Sequence, residues 1–146
     1  MEDKEDKEVK EDKDKCFMST ISFKEIIAWQ KAHKFVVSVY KETATYPEYE
    51  KFGLRSQFLR AAVSIPANIA EGYKKISKAD KLRFLNISQG SLEECRYYVL
   101  LSKDLGYFSN DTYLQMNILL EEVSRFLNLY IKGIVNDIGP KSDMTF

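Results

Sequence analysis

Five polar residues recur along one stretch of this chain: Gln57, Arg60, Ser64, Asn68 and Glu71, separated by three, four, four and three positions. On a helix that spacing puts all of them on one stripe. Two roles fit such a stripe. It is either a polar seam whose hydrogen bonds set helix register or a subunit contact, or a surface for a ligand or nucleic acid. Ala61, Ala67 and Ala70 interleave the stripe and favour close helix packing. A second cluster follows, Lys74, Lys75, Lys78, Lys81 and Arg83, with Lys51 and Arg55 upstream. From Lys51 to Arg83 there are eight basic residues against two acidic ones, Glu71 and Asp80. Such a local excess attracts polyanions and meets phosphates without reading bases. Cations at the start of a helix also face an unfavourable dipole. That placement suggests a task beyond solvation, with phosphate as the candidate partner.

Catalytic chemistry finds little support. The single histidine, His33, has Gln at position 30, so no Glu-x-x-His metal motif exists there, and a carboxylate metal site in a helical bundle needs two. Zinc sites built on histidine and cysteine need more ligands than one His and two Cys supply at usable spacing. No Gly-x-Gly-x-x-Gly or Walker-type loop is present. Ser38 and Lys41 form a Ser-x-x-Lys pattern without its companion motifs. Glu93-Glu94 and Glu121-Glu122 are adjacent pairs, whose side chains diverge on a helix and read as solvated or ion-paired carboxylates. No catalytic residue, metal or cofactor is assigned. Cys16 and Cys95 read as reduced thiols.

These residues need elements to hold them. Apolar residues make up 45% of the chain and charged ones 30%, a globular balance, and six Gly and three Pro argue against a turn-rich β sandwich. No apolar run is long enough for a membrane span. Phe23, Ile26, Ile27, Val36, Val37 and Tyr40 predict a first helix over 23–45, capped by Ser22 and ended by Tyr46-Pro47. Leu54, Phe58, Ala61, Ala62, Ile65 and Ile69 predict a second, kinked at Pro66 and ended by Gly72. Ser77 caps a third, with Leu82, Leu85, Gln89, Leu92, Cys95 and Val99 inward and Gly106 as its stop. Ser109 caps a fourth running to about Asn136, along Tyr113, Met116, Leu120, Val123, Leu127, Tyr130 and Ile134. The fold class is all-α, an up-down-up-down antiparallel four-helix bundle. An antiparallel third helix would bring Ser64 near Ser88 and Arg60 near Glu93. An ion pair of Arg60 with Glu93 or Glu94, within the bundle or across subunits, is expected, as are partners for Asn68 and Glu71.

The bundle domain spans 19–137, between a charged tail at 1–18 and a short C-terminal tail at 138–146. Residues 1–16 hold five Lys against eight Asp or Glu, a net −3, which leaves +3 for the rest of a formally neutral chain. A stretch so poor in apolar residues cannot bury a core. Met18 is an alternative start to Met1. The N-terminus has no secretory pattern, so the cytoplasm is the default location. Ile118, Leu119, Phe126, Leu129, Ile131 and Val135, with the run Tyr97-Tyr98-Val99-Leu100-Leu101, make two helices apolar on more than one side. A homo-oligomeric contact is the simplest use of that surface.

The run Leu54-Arg-Ser-Gln57-Phe-Leu-Arg60-Ala-Ala-Val-Ser64-Ile-Pro66-Ala-Asn68-Ile-Ala-Glu71-Gly72, preceded by Tyr46-Pro47 and followed by Phe84-Leu85 and Gln89-Gly90-Ser91-Leu92-Glu93-Glu94, carries a resemblance. It resembles the bacterial four-helix-bundle family of proteins encoded in 23S rRNA intervening sequences, which is similar to the accessory variability protein of diversity-generating retroelements. The match covers about Phe23 to Ile134. The resemblance implies a four-helix bundle assembled as a homopentameric ring, and marks Gln57, Arg60, Ser64, Asn68, Glu71 and Gly72 as motif residues. The retroelement relative binds nucleic acid and a reverse transcriptase. The function expected here is therefore a non-enzymatic, homo-oligomeric protein that binds RNA or DNA through Lys51, Arg55, Lys74, Lys75, Lys78, Lys81 and Arg83. The alternative is a scaffold that recruits another polypeptide without nucleic acid.

Overall fold

The computed structural model describes residues 22–136; the expected tails, with Cys16 and the Met1 or Met18 start, lie outside the described residues. Four α-helices follow in chain order: α1 (Ile27–Thr43), α2 (Leu54–Lys74), α3 (Lys78–Asp104) and α4 (Asn110–Asn136). Single 3-10 turns at Phe23–Glu25 and Glu48–Glu50 precede α1 and α2, and no strand occurs among the described residues. No helix among them is long and apolar enough to cross a membrane.

Local chemistry explains most helix ends. Ser77 accepts a hydrogen bond from the Asp80 N–H at 3.1 Å, and Ser109 accepts one from the Thr112 N–H at 3.1 Å. Each satisfies an orphan donor of the first turn. Gly106 takes φ +79°, and its N–H reaches the Lys103 carbonyl at 2.9 Å while the Tyr107 N–H reaches Ser102 at 2.8 Å. That pair of bonds is a Schellman motif, which needs a residue free to adopt positive φ.

Two expected ends are corrected. The first helix is not continuous from Phe23. Ser22 caps a 3-10 turn instead, Ile26 is extended at φ −73° and ψ 117°, and α1 starts at Ile27. Gln30 spans the break by donating to the Lys24 carbonyl at 2.8 Å, and Phe23 packs edge-on against Trp29 at 5.0 Å. Gly72 does not stop α2, which runs on to Lys74 without a positive φ. Its lack of a side chain serves packing, because a Cβ there would sit 3.1 Å from Phe84 Cβ and 3.3 Å from the Lys81 carbonyl oxygen. The helix passes through the buried Pro66 unbroken.

Each helix packs on its chain neighbours, and α4 closes the square against α1. Contacts between α2 and α3 descend in antiparallel order: Gln57 with Tyr98, Ser64 with Ser91, Gly72 with Lys81. Those between α3 and α4 do the same: Lys78 with Val135, Gln89 with Asn128, Arg96 with Glu121. At 1.5 Å per residue the two 27-residue helices are each about 40 Å long. Phe35, Phe58, Ile65, Ile69, Leu85, Met116, Leu120 and Leu127 fill the centre. The core faces expected on α2, α3 and α4 are largely the ones observed.

The expected face of α1 is only partly the one observed: Ile26 and Val36 pack against the core. Ile27, Val37 and Tyr40 are exposed, and the buried positions are Ala28, Ala32, Phe35, Val39 and Thr43. Apolar residues lie on several sides of this helix, and the bundle selects the side whose two alanines let α1 approach its neighbours closely.

Candidate nucleic-acid interface

The polar stripe of α2 lies against α3. Ser91 Oγ and Ser64 Oγ are 2.8 Å apart, and Asn68 Nδ2 donates to Ser64 Oγ at 2.9 Å and to its carbonyl at 2.8 Å. Tyr98 Oη reaches Gln57 Oε1 at 3.5 Å. Ser88, fully buried, donates to the Ile65 carbonyl at 2.9 Å. The register is thus close to the expected one, with Ser91 rather than Ser88 opposite Ser64. Small residues along the seam bring the helices together, and hydroxyls satisfy one another in its half-buried part. Asn68 has its expected partner. Glu71 is exposed and makes no hydrogen bond or ion pair among the described residues.

The Arg60 ion pair is corrected within the chain. Arg60 is exposed and pairs with neither glutamate. Arg96 takes Glu93 at 3.1 Å and also bonds Glu121 on α4, because it lies between the two carboxylates. Glu94 contacts Tyr98 Oη at 3.4 Å instead. Gln57, Arg60, Ala61, Ser64, Ile87, Ser91, Glu94 and Tyr98 line an open cleft of about 360 Å³.

The cations at the second bend have two kinds of use. Lys81 Nζ donates to the Tyr73 carbonyl at 2.7 Å and the Gly72 carbonyl at 3.4 Å, and Lys78 Nζ donates to the Val135 carbonyl at 3.0 Å. The N-terminus of α3 sits beside the C-termini of α2 and α4. Cations that oppose their own helix dipole therefore complement two neighbouring ones. This accounts for the placement of Lys78 and Lys81 without a phosphate. The remaining contacts are with rings. Lys75 Nζ and the Arg83 guanidinium lie 5.0 Å and 5.1 Å from the Phe84 centroid, and Lys74 and Lys81 lie 5.9 Å and 5.7 Å from Tyr73. Rings at those distances hold cations in place. Arg83 also sits 3.9 Å from Asp80, an exposed pair.

Lys51 and Arg55 are elsewhere. They sit at the start of α2, about 30 Å along the helix from Lys74. Lys51 lies 5.6 Å from the Phe52 ring, and Arg55 Nε is buried without a hydrogen-bond partner. The seven basic positions therefore form two groups at opposite ends of the bundle. Sequence reading missed the rings that organise the larger group and the exposed Ile76 at its tip. The adjacency of Tyr73 to Lys74 and of Arg83 to Phe84 was the available signal.

Nothing else among the described residues resembles a reactive centre. His33 is exposed and stacks on Trp29 with centroids 5.1 Å apart and planes 5° from parallel. Cys95 is buried and free, and burial pushes its thiol well above the usual range, which leaves it unreactive. No group of three or more His, Cys, Asp or Glu among the described residues is arranged to hold a metal.

The family model for 23S rRNA-intervening sequence proteins matches residues 24–129. No curated protein matches the chain. A crystal structure of a protein of unknown function from the S23 ribosomal protein family of Bacteroides thetaiotaomicron is similar, with 28% identity and a TM-score of 0.67 over 73% of this chain and 96% of that one. The family model spans well over half of the chain, and the chain belongs to the 23S rRNA-intervening sequence protein family.

Proposed function

We propose that this protein is a non-enzymatic, cytoplasmic homo-oligomer that binds RNA or DNA by phosphate contacts. The observation that carries the reading is the bend between α2 and α3. Lys74, Lys75, Lys81 and Arg83 are gathered there over two rings, with Asp80 and Glu71 the nearby acidic residues of that segment. Cations already held in place lose less side-chain freedom on meeting a phosphate. Lys51 and Arg55 form a second, smaller contact at the far end. A homopentameric ring would repeat each group five times, and exposed Tyr97, Leu100, Leu114, Ile118 and Leu129 on α3 and α4 supply apolar surface for such an assembly.

The test is light scattering for mass, then titration of a labelled RNA at rising salt. Binding at micromolar protein, weakening steeply with salt, supports the reading. Absence of a shift at low salt and micromolar protein counts against it. The same exposed apolar flanks favour a second reading, a scaffold that recruits another polypeptide with no nucleic acid bound. Partners that stay associated after nuclease treatment, with no RNA titration, would favour that one.

A further inference from the structure

The three residues that join α2 to α3 are Lys75, Ile76 and Ser77, and Ile76 is 99% exposed. Its side chain buries nothing within the chain, so folding does not account for an isoleucine there. The turn around it is pinned from both sides. The Lys75 N–H bonds the Gly72 carbonyl at 3.1 Å, Ser77 caps α3, and Lys81 and Lys78 tie down the ends of α2 and α4. Cations flank it, with Lys74, Lys75 and Arg83 held against Tyr73 and Phe84. The tip is thus a fixed apolar point between positive charges. A nucleic acid has the complementary form, since apolar base faces lie between phosphates.

We infer that Ile76 is a wedge that enters a base step which is unpaired or easily unstacked, while Lys74, Lys75 and Arg83 hold the flanking phosphates. This rests on the polyanion reading above and adds the class of target, nucleic acid with accessible base faces. A perfect duplex would have to pay for unstacking first, so it binds more weakly. A rigid tip favours insertion because little conformational freedom is lost on binding.

The experiment uses the full chain, its Ile76→Ser variant and the conservative Ile76→Leu. Each is titrated against a single-stranded RNA carrying a fluorescent adenine analogue and against the same sequence as a duplex. The wild type should prefer the single strand and alter the analogue's emission. Ile76→Ser should lose roughly tenfold in affinity for the single strand, the value of burying most of an isoleucine, with the salt dependence and the melting temperature unchanged. Ile76→Leu should retain binding. Equal affinity and equal emission change for Ile76→Ser would overturn the wedge while leaving phosphate binding intact. Failure of the wild type to bind either RNA would overturn the underlying reading, and the wedge with it. Ile76-dependent binding to phosphatidylserine vesicles, with no effect of Ile76→Ser on RNA, would assign the tip to a lipid surface and also overturn it.

Discussion

At the end of the bundle where α3 passes into α4, the chain closes on its own backbone and rings. Gly106 in positive φ lets two backbone N–H groups cap α3, Phe108 and Tyr46 are buried against each other at 5.8 Å, and Tyr46 Oη bonds Ser102 Oγ. Ser102 donates its own proton to the Tyr98 carbonyl at 2.6 Å, so the Tyr46 hydroxyl is the donor to Ser102. Tyr49 and Tyr107 close the outer layer at 2.9 Å. At the opposite end, where α2 passes into α3, no residue takes a positive φ, and the carbonyls are capped by lysine side chains. Ile76 is left in water. The contrast teaches that a bend satisfied by backbone and rings needs no charged side chain to cap its helix. A bend capped by cations presents charge to solvent as a consequence of how it is folded.

Four substitutions break or sharpen that contrast, taken from the largest effect down. Gly72→Val forces a side chain into Phe84 Cβ and the Lys81 carbonyl oxygen, and the backbone oxygen cannot swing aside. We expect a loss of about 2–3 kcal/mol by chemical denaturation. A neutral result would mean that α2 and α3 are not in close contact at the cationic bend. Tyr46→Phe at the other end should cost about 1 kcal/mol, since Ser102 keeps its bond to the Tyr98 carbonyl.

Tyr46 also makes a pH prediction. Burial pushes its phenol from 10.0 up to about 12. Below pH 10 both folded and unfolded chains hold the proton, and this group adds no pH dependence. As pH rises from 10 towards 12 the unfolded chain releases its proton first, so stability falls through that window. The Tyr107 hydroxyl, raised to about 12 chiefly by its hydrogen bond with Tyr49, acts in the same sense. Tyr46→Phe should therefore flatten the alkaline decline in melting temperature. An unchanged slope would show that other groups set it.

Gly106→Ala places a Cβ at φ +79° and should cost about 1 kcal/mol, although no neighbour lies within 4 Å. Lys81→Met keeps the aliphatic stem and removes the cap on Tyr73, for about 0.5–1 kcal/mol at low salt and less at high salt. A loss independent of salt would assign Lys81 to packing rather than to charge, and weaken the picture of a bend held by cations.

Most of the fold was legible because its signals are local. Ser77, Ser109 and Gly106 act on the backbone within four residues of themselves, and the periodic apolar positions of α2 and α4 are wide enough to show which face turns inward. The first helix was misread in part because apolar residues lie on several of its sides, and Ile27, Val37 and Tyr40 are on one the neighbours do not cover. The Arg60 pair failed for a related reason. Spacing placed Arg60 near Glu93, but Arg96 lies one turn away on the same helix and between two carboxylates.

The sequence by itself determined the number of helices, the caps at Ser77, Ser109 and Gly106, the polar stripe on α2 and the concentration of positive charge around the second bend, since each depends on residues close together in the chain. Only the tertiary structure decided what those features do. Packing set Gly72 against Phe84, gave Lys78 and Lys81 to the ends of neighbouring helices, and put Arg55 about 30 Å from Lys74. The physical reason is that a cation's best partner is the nearest acceptor in space, and in an antiparallel bundle that acceptor belongs to another helix.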